Sequence, residues 1–104
     1  MFEDNDLNGL LELISKGKTI LNIGSEEMCA PCRRMSPLFN ELKEKNGEIR
    51  FIKIDVQHNA DVAEHFNVGG IPHFISLNEG EKVSEFKGAN ESKLNEMVES
   101  LKSL

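Results

Sequence analysis

The stretch Met28-Cys29-Ala30-Pro31-Cys32-Arg33 holds both cysteines of the chain, two residues apart. It stands where a short apolar run over residues 19–24 ends and an amphipathic pattern begins. A cysteine at a helix N-terminus meets unpaired backbone N–H groups and the positive end of the helix dipole, and both favour the thiolate. Because the thiolate is the form that attacks disulfides, this stretch predicts a redox-active dithiol.

The bulk composition indicates one domain, residues 1–104, with one modest core. A net charge of −6 argues against nucleic acid and against an anionic membrane as partners. No apolar run approaches the roughly 18 residues that a membrane span needs. Residues 1–6 are acidic and lack the pattern of a secretory signal, which predicts a cytoplasmic protein. In a reducing compartment, two cysteines are more often catalytic or metal-binding than structural.

The spacing of apolar residues predicts eight elements along the chain. Helices are expected over about 6–16, over about 33–45, from a cap at Asp61 to about Phe66, and after a cap at Asn90. Strands are expected over 20–23, 49–56, 73–77 and 82–86. This order of elements predicts an α/β domain, in which a mixed sheet carries helices on both faces.

Several landmarks at consistent separations resemble the thioredoxin family over nearly the whole chain. Cys29-Ala30-Pro31-Cys32 corresponds to the family's Cys-Gly-Pro-Cys, and Pro37 to a proline inside the following helix. Residues 51–56 match the central strand that ends in Asp, and residues 68–74 match the segment with the cis-proline, here Pro72. The resemblance implies a thioredoxin fold, a mixed four- to five-stranded sheet flanked by about four helices. Its first strand would be reduced to about residues 1–3.

The resemblance also implies the chemistry, a small thiol–disulfide oxidoreductase that reduces protein disulfides. Cys29 would attack the substrate with an exposed sulfur, and Cys32, one helical turn later and more buried, would resolve the mixed disulfide. Pro31 fits the first turn of a helix, where its missing N–H leaves no donor unpaired. Ala30 adds one methyl group to the family's glycine.

A second part of the expected site surrounds Pro72. A cis Ile71–Pro72 bond would turn the backbone of Ile71 toward the dithiol, where its N–H and C=O could pair with an extended substrate. Gly70 would let that substrate approach closely. Met28 stands where the family has Trp, and its flexible thioether offers an apolar contact for the substrate.

A second departure from the family lies beneath the dithiol. Ile23 stands six residues before the first cysteine, where the family has a buried Asp that is held to assist proton transfer from the resolving thiol. Asn22 cannot take up a proton, and alternation along the strand turns it to the opposite face from Ile23. Nearby charges oppose one another, since two glutamates precede the motif and two arginines, expected to point outward, follow it (Glu26, Glu27, Arg33, Arg34).

The implied partners are disulfide-containing protein substrates and a flavoenzyme of the thioredoxin-reductase type, with the protein itself a monomer that needs no cofactor and no metal. Several alternatives stay open. They are a disulfide isomerase or oxidase, a thioredoxin-like binding or redox-sensor module with weak turnover, a structural disulfide, a zinc site and an iron–sulfur cluster shared by two subunits. The zinc site would need two ligands from His58, His65 and His73. His73, next to Pro72, could instead tune the redox pair.

Overall fold

A computed structural model describes residues 7–104 and confirms the predicted order of elements. The helices are α1 (Leu7–Ile14), α2 (Ala30–Lys45), α3 (Ala60–His65) and α4 (Glu91–Lys102). The strands are β1 (Lys18–Gly24), β2 (Ile49–Asp55), β3 (His73–Asn78) and β4 (Glu81–Lys87). The strand expected over residues 1–3 lies outside the described residues.

The described strands form one mixed sheet in the order β2-β1-β3-β4. β1 runs parallel to β2, with Gly24 opposite Asp55, and antiparallel to β3, with Ile23 opposite His73. The carboxyl ends of β1 and β2 and the start of β3 therefore lie at one edge of the sheet. Because α2 begins six residues after β1 ends, the dithiol lies at that edge.

Apolar side chains cover both faces of the sheet, as the sequence predicts. On one face α2 and α4 bury a cluster around Phe39, whose ring meets that of Phe51 edge to face at 5.3 Å. On the other face α1 and α3 bury a second cluster that includes Leu10 and Val62. The sheet is thus held between two packed layers, and the edge that carries the dithiol is anchored from both sides.

Several predicted boundaries differ from the structure by one to three residues, among them the starts of α2 and β1, and two of the differences have a clear physical cause. The first helix ends at Ile14, two residues before the expected end, because the chain turns at Gly17 with a φ of +81°. The short third helix begins at Ala60 after Asn59, so Asp61 lies in its first turn and is not the cap. Asn90, in contrast, is confirmed as the cap of α4, since its side chain accepts a hydrogen bond from the Lys93 N–H at 3.0 Å. Among residues 7–104, the helices are too short or too polar to cross a membrane.

Candidate active site

Cys29 and Cys32 are joined by a disulfide at the N-terminus of α2, with their Cα atoms 5.2 Å apart. Cys29 is the N-cap residue, and its Sγ accepts a hydrogen bond from the Cys32 backbone N–H at 3.2 Å. The turn that leads into the helix is held by Ser25, whose carbonyl accepts from the Cys29 N–H and whose hydroxyl accepts from the Met28 N–H. Pro31 lies in the first helical turn, as predicted. The helix start is therefore aimed at the first sulfur.

Both cysteines are buried in this disulfide form. Cys29 keeps 8% of its surface exposed and Cys32 keeps 4%. The expectation of an exposed Cys29 is thus wrong for the oxidised protein, where its sulfur is bonded to Cys32 and accepts the Cys32 N–H at the helix start. The order is as expected, with Cys32 the deeper of the two.

Pro72 lies beside the dithiol, and the Ile71–Pro72 peptide bond is cis, as the resemblance implies. The start of α2, with Cys32, and the segment with Pro72 both approach Gly24, the last residue of β1. A Cβ placed on Gly24 would lie 2.8 Å from Cys32 Sγ and 3.8 Å from Pro72 Cα. Sequence analysis missed Gly24 as a site residue. Its signal was a glycine at a strand end directly ahead of the motif, which marks a close approach of another group.

The predicted substrate contacts lie on the solvent side of the dithiol. Met28 is 68% exposed, the most exposed large apolar side chain among residues 7–104, and its Sδ lies 3.5 Å from Gln57 Nε2. Gly70 and Ile71 are half-buried beside Pro72. Within residues 7–104, neither the N–H nor the C=O of Ile71 forms a hydrogen bond. This backbone therefore keeps its pairing capacity.

The polar residue on the Cys32 side of β1 is Asn22. Ile23 belongs to the apolar cluster under α1 and α3, on the other face of the sheet. Asn22 is 6% exposed and lines a cavity that Cys32 also lines. Counting back six residues from the first cysteine therefore selected the wrong face, and an amide stands on the strand beside Cys32.

The cavity beside Cys32 has a volume of about 510 Å³ and a charged wall. Lys53 Nζ lies 2.7 Å from Glu26 Oε2 and 3.2 Å from Ser36 Oγ, and the Ser36 hydroxyl also donates to Glu26. These hydrogen bonds from Lys53 and Ser36 hold the pKa of Glu26 below its ordinary value. Arg33 is exposed, as expected, and its guanidinium donates to the Glu26 carbonyl at 2.9 Å.

His73 is buried at 8% exposure, and its Nε2 lies 2.9 Å from Glu85 Oε1 on the adjacent strand. Its Nδ1 is also buried and forms no hydrogen bond with the rest of residues 7–104. Glu85 additionally accepts from Lys82 Nζ at 2.6 Å. The hydrogen bond from Lys82, followed by that from His73, lowers the pKa of Glu85. His73 is thus tied to β4, and its part in tuning the redox pair stays a prediction.

Within the described part of the chain, no three His, Cys, Asp or Glu side chains are arranged to hold a metal ion. Both cysteine sulfurs are bonded to each other. The arrangement combines a Cys-x-x-Cys disulfide at a helix start with a cis-proline and the unpaired backbone of Ile71. These features define a thiol–disulfide oxidoreductase with an α/β fold.

Comparison with known proteins gives the family. A family model described as Thioredoxin matches residues 11–100. The thioredoxin of Gallus gallus is 41% identical over 91 residues, which cover 86% of this chain and 87% of that protein. The thioredoxin of Homo sapiens is 38% identical over 77 residues, 74% of this chain and 73% of that protein. The chain belongs to the thioredoxin family, which implies disulfide-containing proteins as its substrates.

Solved structures agree with this assignment. Fasciola hepatica thioredoxin superposes with a TM-score of 0.83 at 32% identity, and the match covers 92% of this chain and 91% of that one. The reduced Schistosoma mansoni thioredoxin pre-protein gives a TM-score of 0.82 at 35% identity, over 94% of this chain and 91% of that one. The thioredoxin fold predicted from the resemblance is therefore confirmed.

Proposed function

We propose that this protein is a reductase of protein disulfides in which Cys29 is the nucleophile and Cys32 the resolving thiol. The observation that carries the assignment of roles is the position of Cys29 as the N-cap of α2, where its sulfur already accepts the Cys32 N–H. In the reduced protein the same donor and the helix dipole favour a thiolate at Cys29. Cys32 lies deeper than Cys29 and is already bonded to it in the oxidised form.

The reaction is a two-step exchange. Cys29 thiolate attacks one sulfur of the substrate disulfide, a bond forms between them, and the other substrate sulfur leaves with its electron pair. Cys32 then attacks Cys29, the internal disulfide forms, and the second substrate sulfur leaves. Two electrons pass from the dithiol to the substrate, and the protein ends in the oxidised form with the Cys29–Cys32 bond.

Substrate binding is assigned to the solvent side of the dithiol. The unpaired backbone of Ile71 suits an extended substrate segment, which would add main-chain hydrogen bonds as a further strand does. Open space at Gly69 and only the Lys87 side chain near Gly70 leave room for that segment. Met28 supplies an exposed apolar contact beside the nucleophile. We expect Met28→Ala to weaken binding of protein substrates without changing the reduction potential.

The wider setting follows from the reaction. A dithiol that reduces other proteins must itself be recycled, and we assign that step to a flavoenzyme of the thioredoxin-reductase type. We place the protein in the cytoplasm, because reduced thiols persist in that compartment. We also expect a monomer, since a substrate protein needs free access to Cys29 and Met28.

Trapping of the covalent intermediate tests the roles of the two thiols. Cys32→Ser should hold a disulfide-bonded test protein such as insulin as a mixed disulfide that intact mass spectrometry detects, because Cys29 attacks and nothing resolves the bond. Cys29→Ser is the matched control and should form no adduct and reduce no substrate. Full reductase activity in Cys29→Ser would refute the proposal, and an adduct formed only by Cys29→Ser would reverse the two roles.

The reduction potential of the pair separates the redox alternatives. A reductase should lie near about −270 mV, whereas a value between about −180 and −120 mV would indicate an isomerase or an oxidant. The protein is equilibrated in graded dithiol buffers, its free thiols are alkylated, and the labels are counted by mass. Mass is the suitable readout because the chain has no Trp or Tyr.

A redox-sensor module with weak turnover is the second candidate. One observation favours it, since β1 presents the amide of Asn22 and not a carboxyl group on the Cys32 side. If resolution by Cys32 were slow, the mixed disulfide would persist and the protein would act as a switch for one partner. Comparable turnover with several unrelated disulfide proteins would argue for the reductase.

A further inference from the structure

The cavity beside the dithiol belongs to the second thiol. Cys32, and not Cys29, contributes to its wall. Two buried amides, Asn22 and Asn59, also line it, and Asn59 Oδ1 forms no hydrogen bond with any of residues 7–104. Water can occupy such a cavity where it finds about two to four polar partners, and these amides provide some of them. The Cys32 sulfur therefore adjoins a space with polar groups in its wall, distinct from the surface around Met28.

A cation is held in the wall of this cavity. Lys53 Nζ contacts Glu26 Oε2 at 2.7 Å and Ser36 Oγ at 3.2 Å. Ser36 follows Cys32 by four residues on α2, so their side chains are neighbours on one helix face, with Cβ atoms about 5–6 Å apart. The Lys53 ammonium thus contacts a side chain that lies one helical turn along α2 from Cys32, and both line the same cavity.

The remaining charges near the cavity are less suited to act on Cys32. His58 and Asp55 face each other at 3.9 Å, and their side chains are 74% and 45% exposed, so water screens them. Arg33 is committed to the carbonyls of Glu26 and Glu27. Glu27 is exposed and is the remaining carboxylate of the wall. β1 contributes an uncharged amide at this point.

We propose that Lys53 and Glu26 act as opposed positioning residues for the resolving step. The Lys53 ammonium favours the thiolate of Cys32, and the Glu26 carboxylate holds that ammonium in place while cancelling part of its field. This inference rests on the proposed role of Cys32 as the resolving thiol. It gives the chain a charged pair, on β2 and on the loop before α2, as the control of proton loss where β1 has only Asn22.

The step balances without any further reactant. Cys32 gives up its thiol proton to water in the cavity, and the thiolate attacks Cys29 Sγ. The Cys29–Cys32 bond forms as the bond from Cys29 to the substrate sulfur breaks. That sulfur leaves with the electron pair and takes a proton from solvent. Lys53 lowers the cost of the first event because it stabilises the negative charge on Cys32.

Thiolate titration of Cys32 tests the proposal in a Cys29→Ser background without any substrate. Thiolate absorbance at 240 nm follows the titration directly, and the absence of Trp and Tyr keeps that window clear. Lys53→Gln should raise the midpoint by about half to one pH unit. Glu26→Gln should lower it, because the amide oxygen and Ser36 still accept from Lys53 while the opposing charge is gone. The matched controls are Lys45→Gln and Glu41→Gln. These two residues form an exposed ion pair at 2.8 Å near the C-terminal end of α2, far from Cys32. The control variants should leave the midpoint in place.

The opposite signs distinguish an electrostatic role from a structural one, because damage to the local packing would move both variants in the same direction. A shift in the same direction for both, or midpoints that coincide with those of the controls, would overturn the proposal. The trapping experiment with Cys32→Ser is independent of this titration. Failure of the charged pair would therefore leave the assignment of the two thiols intact, and failure of the trapping would show separately.

Discussion

Replacing Gly24 with alanine should make the dithiol more oxidising. The added Cβ would lie 2.8 Å from Cys32 Sγ and 3.5 Å from Cys32 Cβ, whereas non-bonded heavy atoms are at their best near about 3.5–4.0 Å. In the oxidised protein the sulfur cannot retreat, because it is bonded to Cys29. In the reduced protein the thiol can rotate about its own Cα–Cβ bond, so most of the strain should fall on the disulfide form.

The size of the effect follows from the cost of overpacking. Extra methyl groups in a closely packed site cost about 1–3 kcal/mol. For a two-electron couple about 30 mV corresponds to about 1.4 kcal/mol, so strain confined to the oxidised form would raise the potential by roughly 20–65 mV. The same quantity should appear as a greater loss of unfolding free energy in the oxidised Gly24→Ala protein than in the reduced one.

Both quantities are measurable. The potential comes from graded dithiol buffers with alkylation and mass counting, and the free energies of unfolding come from urea titrations of the two redox forms followed by circular dichroism. Gly47→Ala is the control, because a Cβ at Gly47 meets nothing within 4 Å. A potential for Gly24→Ala equal to that of Gly47→Ala, or a lower one, would refute the argument that Gly24 makes room for the bonded sulfur.

Three further predictions concern stability. The pKa of Glu85 in the folded protein is lowered, chiefly by Lys82 and then by His73. The folding stability that its ionised carboxylate contributes is therefore fully present above the ordinary carboxyl pKa and is lost as the pH falls through the lowered pKa. Urea titrations should therefore find that Glu85→Gln is less stable than the parent at pH 7 and closer to it at pH 3, and an unchanged gap would contradict this. Phe39→Ala removes a ring that is 1% exposed and should cost about 3–5 kcal/mol of unfolding free energy, where a loss below about 1 kcal/mol would show that the core refills. Asn90→Ala should lower the free energy of unfolding by about 0.5–2 kcal/mol, and Asn90→Ser by much less, because serine also caps a helix. Equal losses for the two variants would show that the side-chain cap does not stabilise α4.

Much of the fold was predictable because each element carries a local signal. In α2 and α4 the helical pattern of apolar residues extends over enough residues to predict a helix and its buried face. The turn between β3 and β4 also has a local signal in the sequence, which is Gly80. Glu79 and Gly80 both adopt positive φ angles there, and glycine accepts such an angle readily. Boundaries were less accurate where the tertiary structure decides them, as at the end of α1, which stops when the chain must turn toward β1.

The site residues could be predicted where a local sequence motif places them. They could not be predicted where their position depends on which face of a strand a side chain occupies. The positions of Cys29 and Pro31 follow from the helix start. The error at Ile23 arose because a fixed separation along the chain does not say which face of a strand a residue occupies. One residue of offset moves a side chain to the other face, and here that placed Ile23 in the apolar cluster and Asn22 beside Cys32. Gly24 was missed because it acts through the absence of a side chain, which leaves room for the sulfur of Cys32.

The two thiols meet different surroundings, and this separates the steps of the exchange. Cys29 is the N-cap of α2 and follows the exposed Met28, on the side where we propose that the substrate binds. Cys32 adjoins the cavity that carries Lys53 and Glu26. Substitutions on the first side should therefore change the attack on the substrate, and those on the second side the release of the product. Because Gly24 lets the bonded sulfur fit against β1, it acts on neither step alone but on the equilibrium between the dithiol and the disulfide.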